Sequence, residues 1–367
     1  MAGTLRVGVV GTSWFAENFH LAGLESHPRA EVAAICGRDG VKAEAVAARH
    51  GGPVVFTDYG AMIDSGLVDA VVIATPDDLH REVAIRALGS GLHVLCEKPL
   101  SRTADEARDM FRAAEAAGRV HMTMFTWRWM GIFSYAQRLI SEGYLGRCRD
   151  AHFSMVAGYA NDSVYGWRFD PDRGSGILGD LGSHMIDLAR WYVGDVARVS
   201  GRLTTDVARP GSDGAVMASL NDSATVLLEF GNGAQGTIRV SGARVVGETP
   251  DIEVRLYGDA GSLRLDVDVV NARLSGRRLD DQSWVELAIP QELLGTEGGH
   301  PPILGLPSLA PFTNLPVADR LFVDAVLDGR APEATFEDGW RVQQVIDAII
   351  ESDRRHSWVS VSGTGSD

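Results

Sequence analysis

The sequence predicts an α/β domain built on a doubly wound parallel sheet, followed by an α+β domain built on a largely antiparallel open sheet. Its length of 367 residues favours two domains. Strand-like and helix-like segments alternate over the first third of the chain, whereas strand-like runs follow one another without helices from about residue 150. We expect the first domain at 1–124, the second at 125–361 and a disordered tail at 362–367.

The first domain opens with an apolar, β-branched run at 5–11, which is typical of a buried strand and ends in glycine. The pattern continues with helices at 14–26, 40–50, 78–89 and 103–117 and with strands at 31–36, 54–56, 69–74, 92–96 and 120–125. A parallel sheet of this kind binds its ligand beyond the carboxyl ends of the strands. The candidate ligand loops are therefore 11–16, 37–39, 75–80 and 97–99.

The second domain is predicted from strand-like runs at 150–157, 198–205, 223–230, 235–241, 252–257 and 262–266. Turn signals separate several of them, such as the glycine-rich stretches at 231–233 and 258–261. A long Gly/Pro-rich connection at 290–314 is interpreted as a functional lid, with disorder as the alternative.

The turn after the first strand carries a dinucleotide-binding pattern. It matches G-x-G-x-x-G/A at Gly11 and Ala16, while Ser13 stands at the second glycine position. The pattern alone is weak, and a tight turn without a ligand is the alternative. Because it lies between a strand and a helix, we expect the turn to bind a dinucleotide through Gly11, Thr12, Ser13, Trp14 and Phe15.

The end of the second strand bears on the choice between NAD and NADP. The acidic residue that bonds the ribose of NAD would align with Gly37, and Arg38 follows it. Without a carboxylate, a guanidinium can bind a 2′-phosphate, so Gly37 and Arg38 favour NADP slightly. The alternative is that Arg38 is a solvated loop residue and Asp39 bonds the ribose of NAD.

Lysine usage singles out one residue. Of the 34 basic residues only Lys42 and Lys98 are lysine, and lysine offers a compact charge and a shiftable pKa that arginine lacks. Lys98 follows the fifth strand, where Pro99 disfavours helix and leaves the lysine on an extended segment. Its ammonium could stabilise a substrate oxygen or relay a proton. A surface ion pair with Glu97 is the alternative.

A second catalytic pattern lies in the helical segment at 177–193. Asp180 and His184 are four residues apart, which places both side chains on one helix face, and Asp187 shares that face. A carboxylate can orient an imidazole, and histidine is suited to proton transfer near neutral pH. We expect all three to contact the substrate. A polar stripe that faces water is the alternative.

Aromatic and arginine residues follow the last strand of the first domain, at Trp127-Arg128-Trp129. Indole faces suit the C–H surfaces of sugars, and a guanidinium offers donors to hydroxyl groups. We expect Trp127 and Arg128 to contact the substrate, with core packing as the alternative for the tryptophans.

Three motifs together resemble the Gfo/Idh/MocA family, named for glucose–fructose oxidoreductase and inositol dehydrogenase. They are ATPDDLH at 74–80, EKP at 97–99 and the segment WRFDPDRGSGILGDLGSHMIDLARW at 167–191. The resemblance covers essentially the whole chain, with departures at Ser13 and at Asp77-Asp78, where Asn is frequent. It implies a Rossmann fold and cofactor contacts from Thr75, Pro76, His80, Glu97, Lys98, Trp167 and Arg168.

The resemblance also implies an activity. Such a protein transfers a hydride between NAD or NADP and a secondary hydroxyl or ketone of a sugar, glycoside or cyclitol, with Lys98, Asp180 and His184 as the catalytic group. One alternative is a glycosidase, lyase or epimerase that oxidises its sugar transiently with retained NAD. Another is a ligand sensor without catalysis. Family members commonly form dimers or tetramers through the second sheet, so we expect a homodimer or homotetramer.

Composition restricts the remaining possibilities. The net charge of −15 argues against a nucleic-acid partner, and no run approaches the ~18–20 apolar residues of a membrane span. The three cysteines form neither a disulfide framework nor a metal site, and no secretory signal precedes the first strand. We therefore expect a cytoplasmic protein without a membrane partner or a metal ion.

Overall fold

The computed structural model describes residues 3–210, 215, 217–247, 249–268 and 271–361. These residues form two compact units. The first comprises the described chain up to Trp129 together with Leu294–Trp340, and the second comprises Met130–Leu293 and the described chain from Arg341. The first unit thus includes Leu294–Trp340, a segment that the sequence predicts as part of the second domain. The expected tail at 362–367 lies outside the described residues.

The strands follow one another along the chain with the following bounds. They are β1 Leu5–Val10, β2 Ala30–Cys36, β3 Val54–Phe56, β4 Ala70–Ile73, β5 His93–Glu97, β6 His121–Met124, β7 Cys148–Val156, β8 Val196–Thr204, β9 Ser223–Phe230, β10 Gln235–Ser241, β11 Asp251–Gly258, β12 Gly261–Val267, β13 Ala272–Arg278, β14 Val285–Glu286 and β15 Val359–Ser360.

The helices are α1 Ala22–Glu25, α2 Gly40–Arg49, α3 Tyr59–Asp64, α4 His80–Gly89, α5 Ala104–Ala117, α6 Gly131–Ser141, α7 Ser183–Val193, α8 Pro311–Asn314, α9 Ala318–Asp328 and α10 Phe336–Arg355. Two π-helical turns, Ala16–Leu21 and Leu178–Gly182, directly precede α1 and α7. Side chains cap several helices: Asp39, Asp58 and Thr103 accept the backbone N–H groups that begin α2, α3 and α5.

The sheet of the first unit is parallel throughout, in the order β3-β2-β1-β4-β5-β6. β1 lies between β2 and β4, which is where the strand order reverses, and ligands of doubly wound sheets bind at this switch point. Buried aliphatic side chains such as Val71, Ile73 and Val94 join the sheet to Val83 and Met110 of the flanking helices. The predicted doubly wound parallel sheet is confirmed.

The sheet of the second unit runs in the order β14-β13-β12-β11-β7-β10-β9-β8-β15. Only β7 and β10 pair in parallel among the described strand pairs of this sheet; the other pairs are antiparallel. Burial alternates along β12, where Leu263 and Leu265 are buried and Arg264 is partly exposed, so one sheet face covers a core. The predicted largely antiparallel second sheet is confirmed.

Several elements differ from the expectation. The sequence does not predict the helix at Tyr59–Asp64, a short segment whose interior Gly60 lowers helix propensity. It does not predict β13 either, since ARLSGRR has few β-branched residues. The 290–314 connection forms short 3₁₀ turns and then α8, whose buried Phe312 packs edge-on against Phe19 at 5.6 Å between ring centroids. Its role as a lid stays a prediction.

Within the described part of the chain, no helix is both long enough and apolar enough to cross a membrane.

Candidate active site

The predicted cofactor loops of the first unit follow β1, β2, β4 and β5, so they meet at one edge of the parallel sheet. Gly11 has φ 131°, and a Cβ atom there would lie 2.3 Å from the carbonyl oxygen of Ala74. A Cβ atom on Gly37 would lie 2.7 Å from Cγ2 of Thr12. Glycine is therefore required at both positions for the loops after β1, β2 and β4 to approach one another.

The helix after the glycine turn explains the serine in the motif. The Ser13 hydroxyl oxygen accepts a hydrogen bond from the backbone N–H of Ala16 at 3.1 Å, which caps the first helical turn. Trp14 is 57% exposed at this edge. The buried hydroxyl of Thr75, on the loop after β4, has no hydrogen-bond partner among the described residues. A buried polar atom of this kind fits a site that receives a polar ligand such as a dinucleotide.

The two charged residues of the loop after β2, Arg38 and Asp39, have different surroundings. Arg38 is exposed, whereas one carboxylate oxygen of Asp39 accepts the backbone N–H of Lys42 at 3.1 Å and caps α2. The helix cap thus accounts for Asp39. Contact of Gly37 and Arg38 with a cofactor stays a prediction.

His80 connects the loops after β4 and β5. It is fully buried, and its two ring nitrogens lie 3.0 Å from the carbonyl oxygens of Thr75 and Pro99. These contacts hold the loop after β4, residues 74–80, against the EKP motif at 97–99. The predicted contacts of Thr75, Pro76 and His80 with a cofactor stay predictions.

Glu97 and Lys98 stand at the carboxyl end of β5, as predicted. Glu97 is 8% exposed, so its carboxylate is buried and does not lie on the surface. One of its oxygens lies 3.1 Å from Nε2 of His20, and the other accepts the backbone N–H of Lys98 at 3.1 Å. The Lys98–Pro99 peptide bond is cis.

The candidate catalytic helix of the second unit begins differently from the expectation. Asp180 lies in the π-helical turn Leu178–Gly182, whereas His184 and Asp187 lie in α7 and are 5% and 1% exposed. The predicted helix is therefore present, and its first turn is π-helical instead of α-helical. A π turn has wider i→i+5 hydrogen bonding, and such turns occur frequently at functional sites.

Asp180 is engaged by two side chains of its own unit. Its Oδ2 accepts hydrogen bonds from the Tyr159 hydroxyl at 2.6 Å and from Nε of Arg168 at 2.9 Å. Burial and the Asp180 carboxylate hold the pKa of Tyr159 well above its usual value, so the phenol remains a donor. The Arg168 guanidinium also lies over the Trp167 ring, 4.7 Å from its centroid. The predicted cofactor contacts of Trp167 and Arg168 stay predictions.

The glycines before α7 make room for protein backbone. A Cβ atom on Gly174 would lie 2.5 Å from the carbonyl oxygen of Trp167, and one on Gly176, at φ 65°, would lie 2.7 Å from Nδ2 of Asn221. Asn221 in turn accepts the backbone N–H groups of Ile177 and Leu178 at 3.0 and 2.8 Å. These contacts fix the start of the candidate catalytic segment.

Arg128 has a structural partner. It is buried, its Nη2 lies 3.3 Å from Oδ1 of Asp338, and its guanidinium lies 5.7 Å from the centroid of the Phe125 ring. Trp127 is half-buried in the same 3₁₀ turn, Thr126–Trp129. Binding of substrate by Trp127 and Arg128 stays a prediction.

Four residues that form hydrogen bonds in or beside the candidate site were absent from the sequence prediction: Tyr159, His20, Asp319 and Asn221. A signal existed for His20, because a histidine within the apolar segment FHLAGL requires buried polar partners. No local pattern marks the other three.

Comparison with known proteins relates both parts of the chain to one family. A family model described as oxidoreductase family, NAD-binding Rossmann fold, matches residues 5–125. A second model, the GFO/IDH/MocA C-terminal domain, matches residues 133–264.

Individual relatives agree. Levoglucosan dehydrogenase of Pseudarthrobacter phenanthrenivorans is 30% identical over 327 residues, which cover 83% of each chain. D-xylose 1-dehydrogenase (NADP(+)) 2 of Haloferax volcanii is 29% identical over 95% of this chain and 97% of that protein. The solved structure of levoglucosan dehydrogenase with NADH and levoglucosan matches at a TM-score of 0.86 and 28% identity, over 98% of this chain and 100% of that one. The resemblance carried by the motifs is thereby confirmed, and the chain belongs to the Gfo/Idh/MocA family of oxidoreductases with an NAD-binding Rossmann fold.

Proposed function

We propose that this protein is a dehydrogenase that transfers a hydride between a nicotinamide cofactor and a secondary hydroxyl or ketone of a sugar, glycoside or cyclitol. The observation that carries the proposal is the likeness to levoglucosan dehydrogenase with NADH and levoglucosan, since it extends over 98% of this chain. The motif residues Lys98, Asp180 and His184 support it as well, because a ligand sensor needs none of them.

In the proposed mechanism, residues of the chain transfer the proton and stabilise the negative charge on the substrate oxygen. When bound, the nicotinamide cofactor supplies the hydride acceptor or donor. His184 takes the proton of the secondary hydroxyl and returns it in the reverse reaction. The Lys98 ammonium stabilises the negative charge that develops on the substrate oxygen. Asp180 orients His184, and Asp187 contacts the substrate.

For the cofactor, we propose that Gly11, Thr12, Ser13, Trp14 and Phe15 receive the pyrophosphate, and that the loop after β2 selects between NAD and NADP. The exposed Arg38 and the missing carboxylate at Gly37 support a slight preference for NADP. The use of the Asp39 carboxylate as a helix cap supports the same preference for NADP, because this carboxylate already has a partner.

We also propose that the protein forms a homodimer or homotetramer through the sheet of its second unit. Leu227, 48% exposed on β9, is an apolar side chain on the open sheet face. Light scattering should give a mass of two or four chains, and Leu227→Glu should reduce it. A monomeric wild-type protein would contradict this proposal.

The function is tested by following absorbance of reduced nicotinamide with a panel of substrates. The panel contains levoglucosan, D-xylose, myo-inositol and their keto forms, each with both cofactors. We expect net reduction or oxidation of the cofactor with at least one compound of the panel. Cofactor that remains bound through purification, with substrate turnover but without net reduction, would favour transient oxidation by a lyase, glycosidase or epimerase. Binding of sugar without turnover would favour a sensor.

A further inference from the structure

A buried row of charged groups leads to the backbone of Lys98 within the first unit. Oδ1 of Asp319, on α9, lies 2.8 Å from Nδ1 of His20, and Nε2 of His20 lies 3.1 Å from Oε1 of Glu97. The second Glu97 oxygen accepts the backbone N–H of Lys98 at 3.1 Å. The His20 ring is fully buried.

The two carboxylates determine the charge of His20. Each of its ring nitrogens faces a carboxylate oxygen, so both nitrogens donate only when the ring is an imidazolium. Burial alone would lower the pKa of His20, but Asp319 and Glu97 together raise it to about 10. At neutral pH His20 is therefore a cation between two carboxyl groups. Burial raises the pKa of Asp319, and the contact with His20 opposes that rise.

The surroundings leave this row little room to move. A Cβ atom on Gly23 would lie 3.2 Å from both Cβ and Oδ2 of Asp319, so α1 and α9 approach closely at this point. Ala318, directly before Asp319, has φ 50°, a left-handed conformation that is unfavourable for alanine. The Phe15 ring meets His20 edge-on at 5.7 Å between centroids. Strained backbone that delivers a side chain to a buried partner is typical of functional regions.

We propose that His20 is a positioning residue: held by Asp319, it fixes the Glu97 carboxylate that accepts the N–H of Lys98, and so it fixes the place of Lys98. The inference rests on the proposed function, in which Lys98 contacts the reacting oxygen. A small misplacement of such a group slows a reaction strongly while distant binding contacts persist. His20 and Asp319 thus act on the reaction through Glu97 and the Lys98 backbone.

The first test compares His20→Gln with a matched control. His27 also pairs with α9, through Asp324 at 3.2 Å, but this pair does not include Glu97. We expect His20→Gln to lower kcat about tenfold or more, while the dissociation constant of NADH, measured by protein fluorescence, changes less than about threefold. His27→Gln should leave both near wild type. An equal loss of kcat in both variants would mean that the pairs are merely structural and would overturn the proposal.

The second test does not require turnover. Since Lys42 and Lys98 are the only lysines, reductive ¹³C-methylation gives one NMR signal for each. The Lys98 signal should be displaced in His20→Gln and remain at the wild-type position in His27→Gln, while that of Lys42 stays constant. A Lys98 signal at its wild-type position in folded His20→Gln would overturn the inference.

A milder variant keeps the test decisive if His20→Gln does not fold. Asp319→Asn retains an oxygen acceptor for the ring and removes one charge, so its Lys98 signal should lie between those of wild type and His20→Gln. Where His20→Gln does not fold, the Lys98 signal of Asp319→Asn should still be displaced from its wild-type position. An unchanged signal in folded Asp319→Asn would again contradict the proposal. If the wild type turns over no sugar of the panel, the proposed function fails, and the Lys98 signal still decides the role of His20.

Discussion

The Tyr159 hydroxyl lies 2.6 Å from Oδ2 of Asp180, the same oxygen that Arg168 contacts at 2.9 Å. One carboxylate oxygen is thus held by a neutral and a cationic donor. Asp180 is thus held by residues on two different segments of the chain.

We predict that Tyr159→Phe lowers kcat about 10- to 100-fold, because a hydrogen bond to a charged group contributes ~1.5–3 kcal/mol. Steady-state kinetics with the best sugar of the panel measures the effect. Tyr165→Phe is the control, since its hydroxyl donates to the exposed carbonyl of Ala218 at 3.2 Å. Equal kcat values for the two variants would show that the contact with Asp180 does not support the reaction.

Replacement of either proposed catalytic group should stop hydride transfer. We expect Lys98→Ala and His184→Ala to lose about 10³-fold or more in kcat, since each removes a group that acts on the reacting oxygen. NADH should still bind to both variants, as measured by fluorescence titration. Lys42→Ala, at an exposed position on α2, is the control for loss of a lysine. Appreciable turnover in Lys98→Ala would remove the proposed scheme.

Local patterns predicted the elements that depend on neighbouring residues. The apolar run of β1 and the turn at Gly11 were predictable because burial and a positive φ both leave a mark on the sequence. The same holds for Lys98, which stands out among arginines and precedes a proline. The π turn at Asp180 was not predictable, because a single turn is too short for its residue period to be told from that of an α-helix in the sequence.

The partners of the site residues depend on contacts that sequence spacing does not reveal. Asp319 is 299 positions from His20, and it joins the first unit only because the chain returns there after Leu293. Tyr159 follows β7 and reaches Asp180 from 21 positions away. Asn221 likewise holds the start of the catalytic segment from 43 positions away. Tertiary packing determines these contacts, so a single sequence does not reveal them.

The choice of cofactor should depend on Arg38. If its guanidinium binds a 2′-phosphate, Arg38→Ala should raise the KM for NADP about 10- to 100-fold and leave that for NAD nearly unchanged. Initial rates with both cofactors measure this. Arg81→Ala, at an exposed arginine paired with Asp109 at 2.8 Å, controls for loss of a surface charge. Equal changes for both cofactors would contradict selection by Arg38.

The charged state of His20 should make stability depend on pH. Its pKa in the folded protein is about 10, whereas an unfolded histidine titrates near ~6.5. The imidazolium therefore stabilises the fold fully below pH ~6.5, and this stabilisation is lost as the pH rises towards about 10. We expect the free energy of unfolding, from urea titrations, to fall across this interval in the wild type and to change less in His20→Gln. His27→Gln should keep the wild-type dependence, because burial lowers the pKa of His27 and removes it from this range. A wild-type stability that stays constant over the interval would show that His20 is neutral, and the buried row would then hold its carboxylates without a cation.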